Sequence, residues 1–250
     1  VHWASNHNFE VVRQLHTDLI NALAEDIQKY GRDAEVHYLE AAFENLKHHY
    51  GKRFKYEGFA PGFRSQLMKT SITKLEQAMV TTRVWPTSSL TVPLERKAKS
   101  APKLLPLDIG IALSSSGISV DQARRLPLDT LLDGRVAEIF VGQEFLATRG
   151  TGDDLHFWVR DSSRGNAEVD YLLEGDGIAL PIEVKAGASG SLKSLHQFLW
   201  RSGRHLGLRF FAGPYADERH TVRMPDGELD YRLISLPLYL AGLVERIPLR

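Results

Sequence analysis

The sequence predicts an α/β protein in two parts, a helical domain over residues 1–120 and a mixed sheet flanked by helices over 121–250. Three observations point there. Near the start, Leu15, Leu19, Leu23 and Ile27 recur at the spacing of one helix face. Beyond residue 134 the pattern becomes helix, strand, strand, helix, strand, the alternation of a sheet covered by helices. Between the two, SSSGISVDQARRLPLDTLLDG (114–134) is polar, carries turn signals and reads as the connection.

Element by element, the first part offers a helix over 9–29, a second over 36–50 ending near Gly51, and a third over 64–80 with Leu67, Ile72, Leu75 and Met79 inward. TTRVWPTSSLTV alternates weakly and reads as a strand and turn. A basic loop, a short strand at 103–107 and a brief helix capped by Asp108 follow. Helices followed by a β-hairpin resemble a winged helix. In the second part, GRVAEIFVGQEFLATRG (134–150) is an apolar helix and DLHFWVRD (154–161) a strand. A hairpin comes next, then the helix SLKSLHQFLWRSG (191–203), with Leu192, Leu195 and Leu199 on one stripe and Ser189 or Ser191 as its cap. LGLRFFAG (206–213) is a buried strand, and a short helix covers 236–246.

Composition excludes several classes. With 250 residues, 43% hydrophobic and 25% charged, the chain has ample material for a core. No apolar run approaches the ~18 residues of a membrane span. Cysteine is absent, which rules out disulfides and Cys-ligated zinc. The opening VHWASNHNFEVV has neither an initiator Met nor a basic start followed by an apolar block. A processed or excised chain of cytoplasmic location is therefore expected. Net charge is zero but uneven: Asn45 to Lys103 holds twelve Lys/Arg against three acids, Glu57, Glu76 and Glu95. Such a stretch can attract nucleic acid or simply form a solvated surface.

The chemistry concentrates in EVDYLLEGDGIALPIEVKAG (168–187). Asp176-Gly177 suits a two-residue hairpin turn. Gly175 then faces Ile178, and Asp170 falls opposite Glu183. Side chains alternate along a strand, so Glu183 and Lys185 share a face. Two opposed carboxylates repel, and burial raises the pKa of one of them unless a cation intervenes. Magnesium suits such a site, with one or two carboxylates, several waters and phosphate oxygens. The plainer alternative is an ion-pair network in which Lys185 neutralises the acids.

Asp170, then Glu183-X-Lys185, with Glu138 on a preceding helix, resembles the PD-(D/E)XK nuclease superfamily. By that resemblance Asp170 and Glu183 would bind Mg²⁺ or Mn²⁺, Glu138 would assist, and Lys185 would orient the attacking water. Gln197, one helical turn from Lys193, matches the polar residue often found on the following helix; the two are candidate substrate contacts. The succession APKLLPLDIGIAL, GRVAEIFVGQEF, EVDYLLEGDGIALPIEVKAG and SLKSLHQF is also similar to a family of prokaryotic AAA-type ATPases with a winged-helix-like segment and a C-terminal nuclease-like domain. The resemblance implies DNA and the ATPase domain of the same full-length chain as partners. It implies either a metal-dependent nuclease or an inactive nuclease-like fold that binds DNA or a partner.

Other motifs fall away. AGASGSLKS (186–194) lies between strand and helix, but Leu192 stands where a phosphate-binding loop has glycine before its lysine. GASGS ends in Ser191 where a nucleophile elbow has glycine. His48-His49 and the other histidines show no zinc spacing.

Overall fold

The structure, a computed structural model, describes residues 8–29, 33–97, 99–149, 154–160, 166–175, 177–187 and 190–247. The chain divides into two units that interleave. The first comprises Val1–Arg83 and Pro102–Leu132; the second comprises Val84–Ala101 and Asp133–Arg250. A single cut at 120/121 therefore differs from the observed division in two places. Residues 84–101 go with the second unit, because strand β1 (Thr81–Thr87) pairs from Val84 onward in parallel with β3 (Leu155–Arg160). Residues 121–132 stay with the first.

The first unit contains α1 (Phe9–Lys29), α2 (Asp33–Asn45), a 3₁₀ turn (Leu46–His48), α3 (Ser65–Gln77), β2 (Lys103–Pro106), α4 (Ile109–Ser115) and α5 (Val120–Arg125). The helix positions match expectation, but the inward faces match only in part: Ile27, Ile72 and Leu75 are buried as expected. In α3 the buried stripe is Met68, Ser71, Ile72 and Leu75, whereas Leu67 and Met79 are 45% and 69% exposed. Met68, Ile72 and Leu75 follow at four and three residues, the helical spacing, whereas Leu67 stands five residues from Ile72 and falls outside that face. Met79 lies past the helix end, at φ 58°. In α1 Ile27 is buried while Leu15 and Leu19 are exposed.

Local caps explain where the short helices begin. Asp108 Oδ1 accepts from the N–H groups of Gly110 at 2.7 Å and Ile111 at 3.2 Å, as its N-cap role requires. The expected connection at 114–134 instead holds α5, opened by a capping box between Ser119 and Gln122. Part of the basic stretch is neutralised within this unit. Arg83 donates through Nε to Glu76 at 2.7 Å and through a guanidinium nitrogen to the Tyr56 hydroxyl at 3.0 Å. Lys74 pairs with Glu35. The strand after α3 is no free wing: only its first residues belong here, with Thr81 Oγ1 donating to the Leu105 carbonyl at 2.7 Å.

The second unit holds α6 (Val136–Thr148), β3, β4 (Ala167–Gly175), β5 (Ile178–Lys185), α7 (Lys193–Ser202), β6 (Leu206–Phe211), β7 (Ala216–Met224), β8 (Gly227–Pro237) and a 3₁₀ segment (Leu238–Arg246). Its strands run in the order β1-β3-β4-β5-β6-β8-β7. Pairings β1/β3, β5/β6 and β6/β8 are parallel, and β3/β4, β4/β5 and β7/β8 antiparallel. With β2, the fold is α/β with eight strands of mixed direction, as the sequence predicts at that level. Two corrections apply at the C-terminal end. The β7/β8 hairpin was not expected, and the helix predicted at 236–246 is the 3₁₀ segment, with 236–237 completing β8. β7 lies at the sheet's edge and reads ADERHTVRM, a charged strand with no buried run to announce it.

Apolar packing covers both faces of this sheet. On one, Phe145 of α6 meets Tyr171 and Phe210 edge-on, at 5.4 and 5.9 Å between ring centroids. On the other, Leu195, Phe198 and Leu199 of α7 cluster with Trp158, Leu172, Leu229 and Leu233, and Leu94 joins them. Among the described residues no helix is long and apolar enough to cross a membrane.

Candidate functional site

The hairpin has the predicted register: Gly175 pairs with Ile178, and regular pairing runs on to Tyr171 with Ile182. Asp176 lies outside the described residues, and Gly177 takes φ 74°, a turn conformation that glycine tolerates best. One residue beyond the last regular pair, Asp170 replaces a backbone partner with a side chain: its Oδ2 accepts from the Val184 N–H at 2.8 Å. A buried N–H left without an acceptor would cost ~1–3 kcal/mol, so the carboxylate helps to hold the strands together where the ladder lapses. The pairing of β3 with β4 also shifts register between His156 and Trp158, alongside the same stretch of β4.

Glu183 is the most constrained of the candidates. It is 5% exposed. Its Oε1 accepts from Lys185 Nζ at 2.5 Å, and its Oε2 is buried with no hydrogen-bond partner. Burial first, and the nearby Asp170 charge second, push its carboxyl up to about 8, against the opposing pull of Lys185. Glu138 raises it further. Lys185 therefore does not neutralise the site outright; near neutral pH the bare pocket favours a proton on Glu183. The lysine stem runs beside Gly190, where an added Cβ would sit 2.6 Å from Lys185 Cδ.

Glu138 lies in the first turn of α6. The Tyr171 hydroxyl donates to its backbone carbonyl at 2.8 Å, which ties the start of that helix to the hairpin. Asp170, Glu183 and Lys185 thus gather at one end of the hairpin, with Glu138 near enough for its charge to be felt. They do not amount to a finished cage: among the described residues, no group of three or more His, Asp or Glu is arranged to hold a metal ion.

Lys193 opens α7 and Gln197 lies one turn on, but neither bonds to the hairpin carboxylates. Gln197 Oε1 is buried and has no partner. The expected serine cap is corrected: Leu192 stands at the N-cap with no capping side chain, Ser191 Oγ accepts from the Lys193 N–H at 3.4 Å, and Ser189 lies outside the described residues. His49 is packed, stacked on Phe59 at 4.0 Å and bonded through Nε2 to the Phe59 carbonyl.

Sequence reasoning missed Arg209. It pairs in register with Glu183 on the neighbouring parallel strand, which puts both side chains on one face of the sheet. Its Nε donates to Ser235 Oγ at 3.1 Å, and its guanidinium lies 4.3 Å from the Phe211 ring centroid. The signal was present, a lone cation in the buried run LGLRFF, but its neighbour is set by pairing between distant segments.

Residues 133–226 match the family model of a domain of unknown function, DUF4143. That domain is often found C-terminal to AAA ATPase domains. A second domain of unknown function, DUF8612, matches residues 2–122. The two matches follow the main division of the chain, although the first stops just before β8. No curated protein and no solved structure matches the chain.

Proposed function

We propose that the second unit is a nuclease-like domain of the PD-(D/E)XK kind that hydrolyses DNA phosphodiesters with Mg²⁺ or Mn²⁺, within a chain whose full length includes an AAA-type ATPase domain. The observation that carries this reading is the buried Glu183 carboxylate, with one oxygen unpartnered, beside Asp170 and Lys185. The donor set suits magnesium, which takes one or two carboxylates and keeps several waters. Asp170 and Glu183 would hold it, with Glu138 assisting. When bound, the ion would supply Lewis-acid activation of a phosphate and a water of lowered pKa.

The chain's own residues do the rest. Displaced from Glu183, the Lys185 ammonium can hold a water or a phosphate oxygen at the hairpin's end. Arg209 adds a second positive charge on the same face, braced by Ser235. Burial keeps solvent from screening these charges, so each counts for more than it would on an open surface.

A second reading is supported by the Lys185 contact with Glu183, which occupies an oxygen that a metal would need. In it the unit binds DNA or a protein partner for the ATPase and cuts nothing. Two measurements separate them. Parent protein should nick plasmid DNA in the presence of Mg²⁺ or Mn²⁺, with Lys185→Ala at least ~100-fold slower. Calorimetric titration should show Mg²⁺ uptake by the parent and none by Asp170→Asn. Uptake by neither protein, together with unchanged DNA affinity in EDTA, would leave the second reading standing.

A further inference from the structure

A cleft of about 770 Å³ opens at the other end of β5, lined by Arg204, His205, Arg219, His220 and Arg232 against Ile178 and Leu206. Its size falls within the ~300–1,000 Å³ of small-ligand sites. At ~3.3 Å per strand residue, Ala179 at its edge lies roughly 13 Å along β5 from Glu183, so this is a separate place.

The charges there do not balance. Arg219 and Arg232 are direct cross-strand partners on β7 and β8, an arrangement that is unfavourable for like charges. Asp217 is committed to Arg232, which donates to its two oxygens at 2.8 Å each. Asp230 also lines the cleft, held through Oδ1 by the Thr221 hydroxyl at 2.6 Å; its single charge and that of Asp217 stand against the three of Arg204, Arg219 and Arg232. Among the described residues, no hydrogen bond or ion pair to a carboxylate holds the side chain of Arg204 or Arg219, although the Arg219 charge acts on Asp217 from a distance. Arg204 is set by the end of α7: Gly203 turns at φ 65°, and the Arg204 N–H donates to the Leu199 carbonyl at 3.1 Å. His205 Nδ1 bonds the Asp230 carbonyl at 2.6 Å, which leaves its other ring nitrogen for a different partner. His220 is turned by strand alternation to the other face of β7 from Arg219, where it stacks on Tyr231 and its buried Nε2 lies 3.7 Å from Glu218 Oε2.

We propose that this cleft binds a phosphate-bearing anion, with Arg204 and Arg219 as its principal ligands and His205 as a further donor. Guanidinium forks match phosphate oxygens in pairs, and two of them on separate elements define a position rather than a diffuse field. The inference does not rest on the nuclease-like reading of the hairpin.

The test uses the full chain in EDTA and low salt, with two probes: pyrophosphate by calorimetry and a twelve-nucleotide oligo(dT) by fluorescence anisotropy. Arg204→Ala/Arg219→Ala should weaken binding at least tenfold. Arg219→Glu, at an exposed position that no core contact depends on, should do the same. Dependence of both probes on these arginines shows that free and backbone phosphates are accepted; dependence of one alone names the source. The proposal is overturned if the parent binds neither probe at millimolar concentration, or if the variants bind as tightly as the parent.

Discussion

At the scale of single residues, Glu183 makes the sharpest statement about pH. Its carboxyl sits at about 8 in the folded protein, against ~4.3 in an unfolded chain. Below the unfolded value both states carry the proton and Glu183 costs nothing. As pH rises from there through about 8, the unfolded state ionises freely while the folded one resists, so stability falls across that window. Glu183→Gln keeps the shape and removes the titration. In EDTA, urea melts followed by tryptophan fluorescence should show the variant gaining on the parent from pH 5 to 8, by a few kcal/mol at most (on the order of 1.4 per pKa unit). An equal gap at the two pH values would mean that Glu183 ionises in the fold without penalty. Glu183 and Lys185 were legible in the sequence because each interrupts an apolar run. Arg209 was not, because its closeness to Glu183 comes from the β5/β6 pairing of segments that are far apart in the chain.

At the scale of elements, the existence of helices and strands was easier to read than their orientation. The helix over 64–80 shows why. Leu67 and Met68 are adjacent, but only Met68 stands four residues from Ile72 and seven from Leu75; Leu67, five from Ile72, falls off that stripe. Packing chose Met68, which is fully buried together with Ile72. Truncation reports this phase directly. Ile72→Ala should cost ~2–5 kcal/mol, the usual loss for a buried aliphatic, and Leu67→Ala less than ~1. Comparable losses at the two positions would place Leu67 in the core beside Ile72. The β7/β8 hairpin was illegible for a different reason. β7 is charged along its length with no residue buried, and β8 alternates only as far as Leu233, after which Ile234, Ser235 and Leu236 are buried in succession, so neither strand shows the even alternation that marks a half-buried strand.

At the scale of the whole molecule, the two-part organisation was readable but the location of the seam was not. The polar segment 114–134 looks like a linker, yet the chain had already visited the second unit at 84–101 before returning. That excursion does structural work there. Val84–Thr87 pair with Leu155–Trp158, Leu94 is buried in the cluster under α7 with Leu90 and Val92 packed against it, and the Leu94 N–H donates to Glu174 Oε1 at 2.6 Å. A fragment that begins at 133 loses the neighbour of β3 and bares a strip of core at once, an exposed edge beside exposed apolar surface. Residues 133–250 alone should therefore unfold with little cooperativity or aggregate, although they contain the whole DUF4143 match. Joining 84–101 to 133–250 through a flexible Gly/Ser linker should restore a cooperative melt, since a long linker adds only slowly to the entropy of closure. Calorimetric melting of the two fragments decides the matter. If the shorter one melts as sharply and at the same temperature as the joined one, the strand and its following loop are an ornament on a domain that is complete without them.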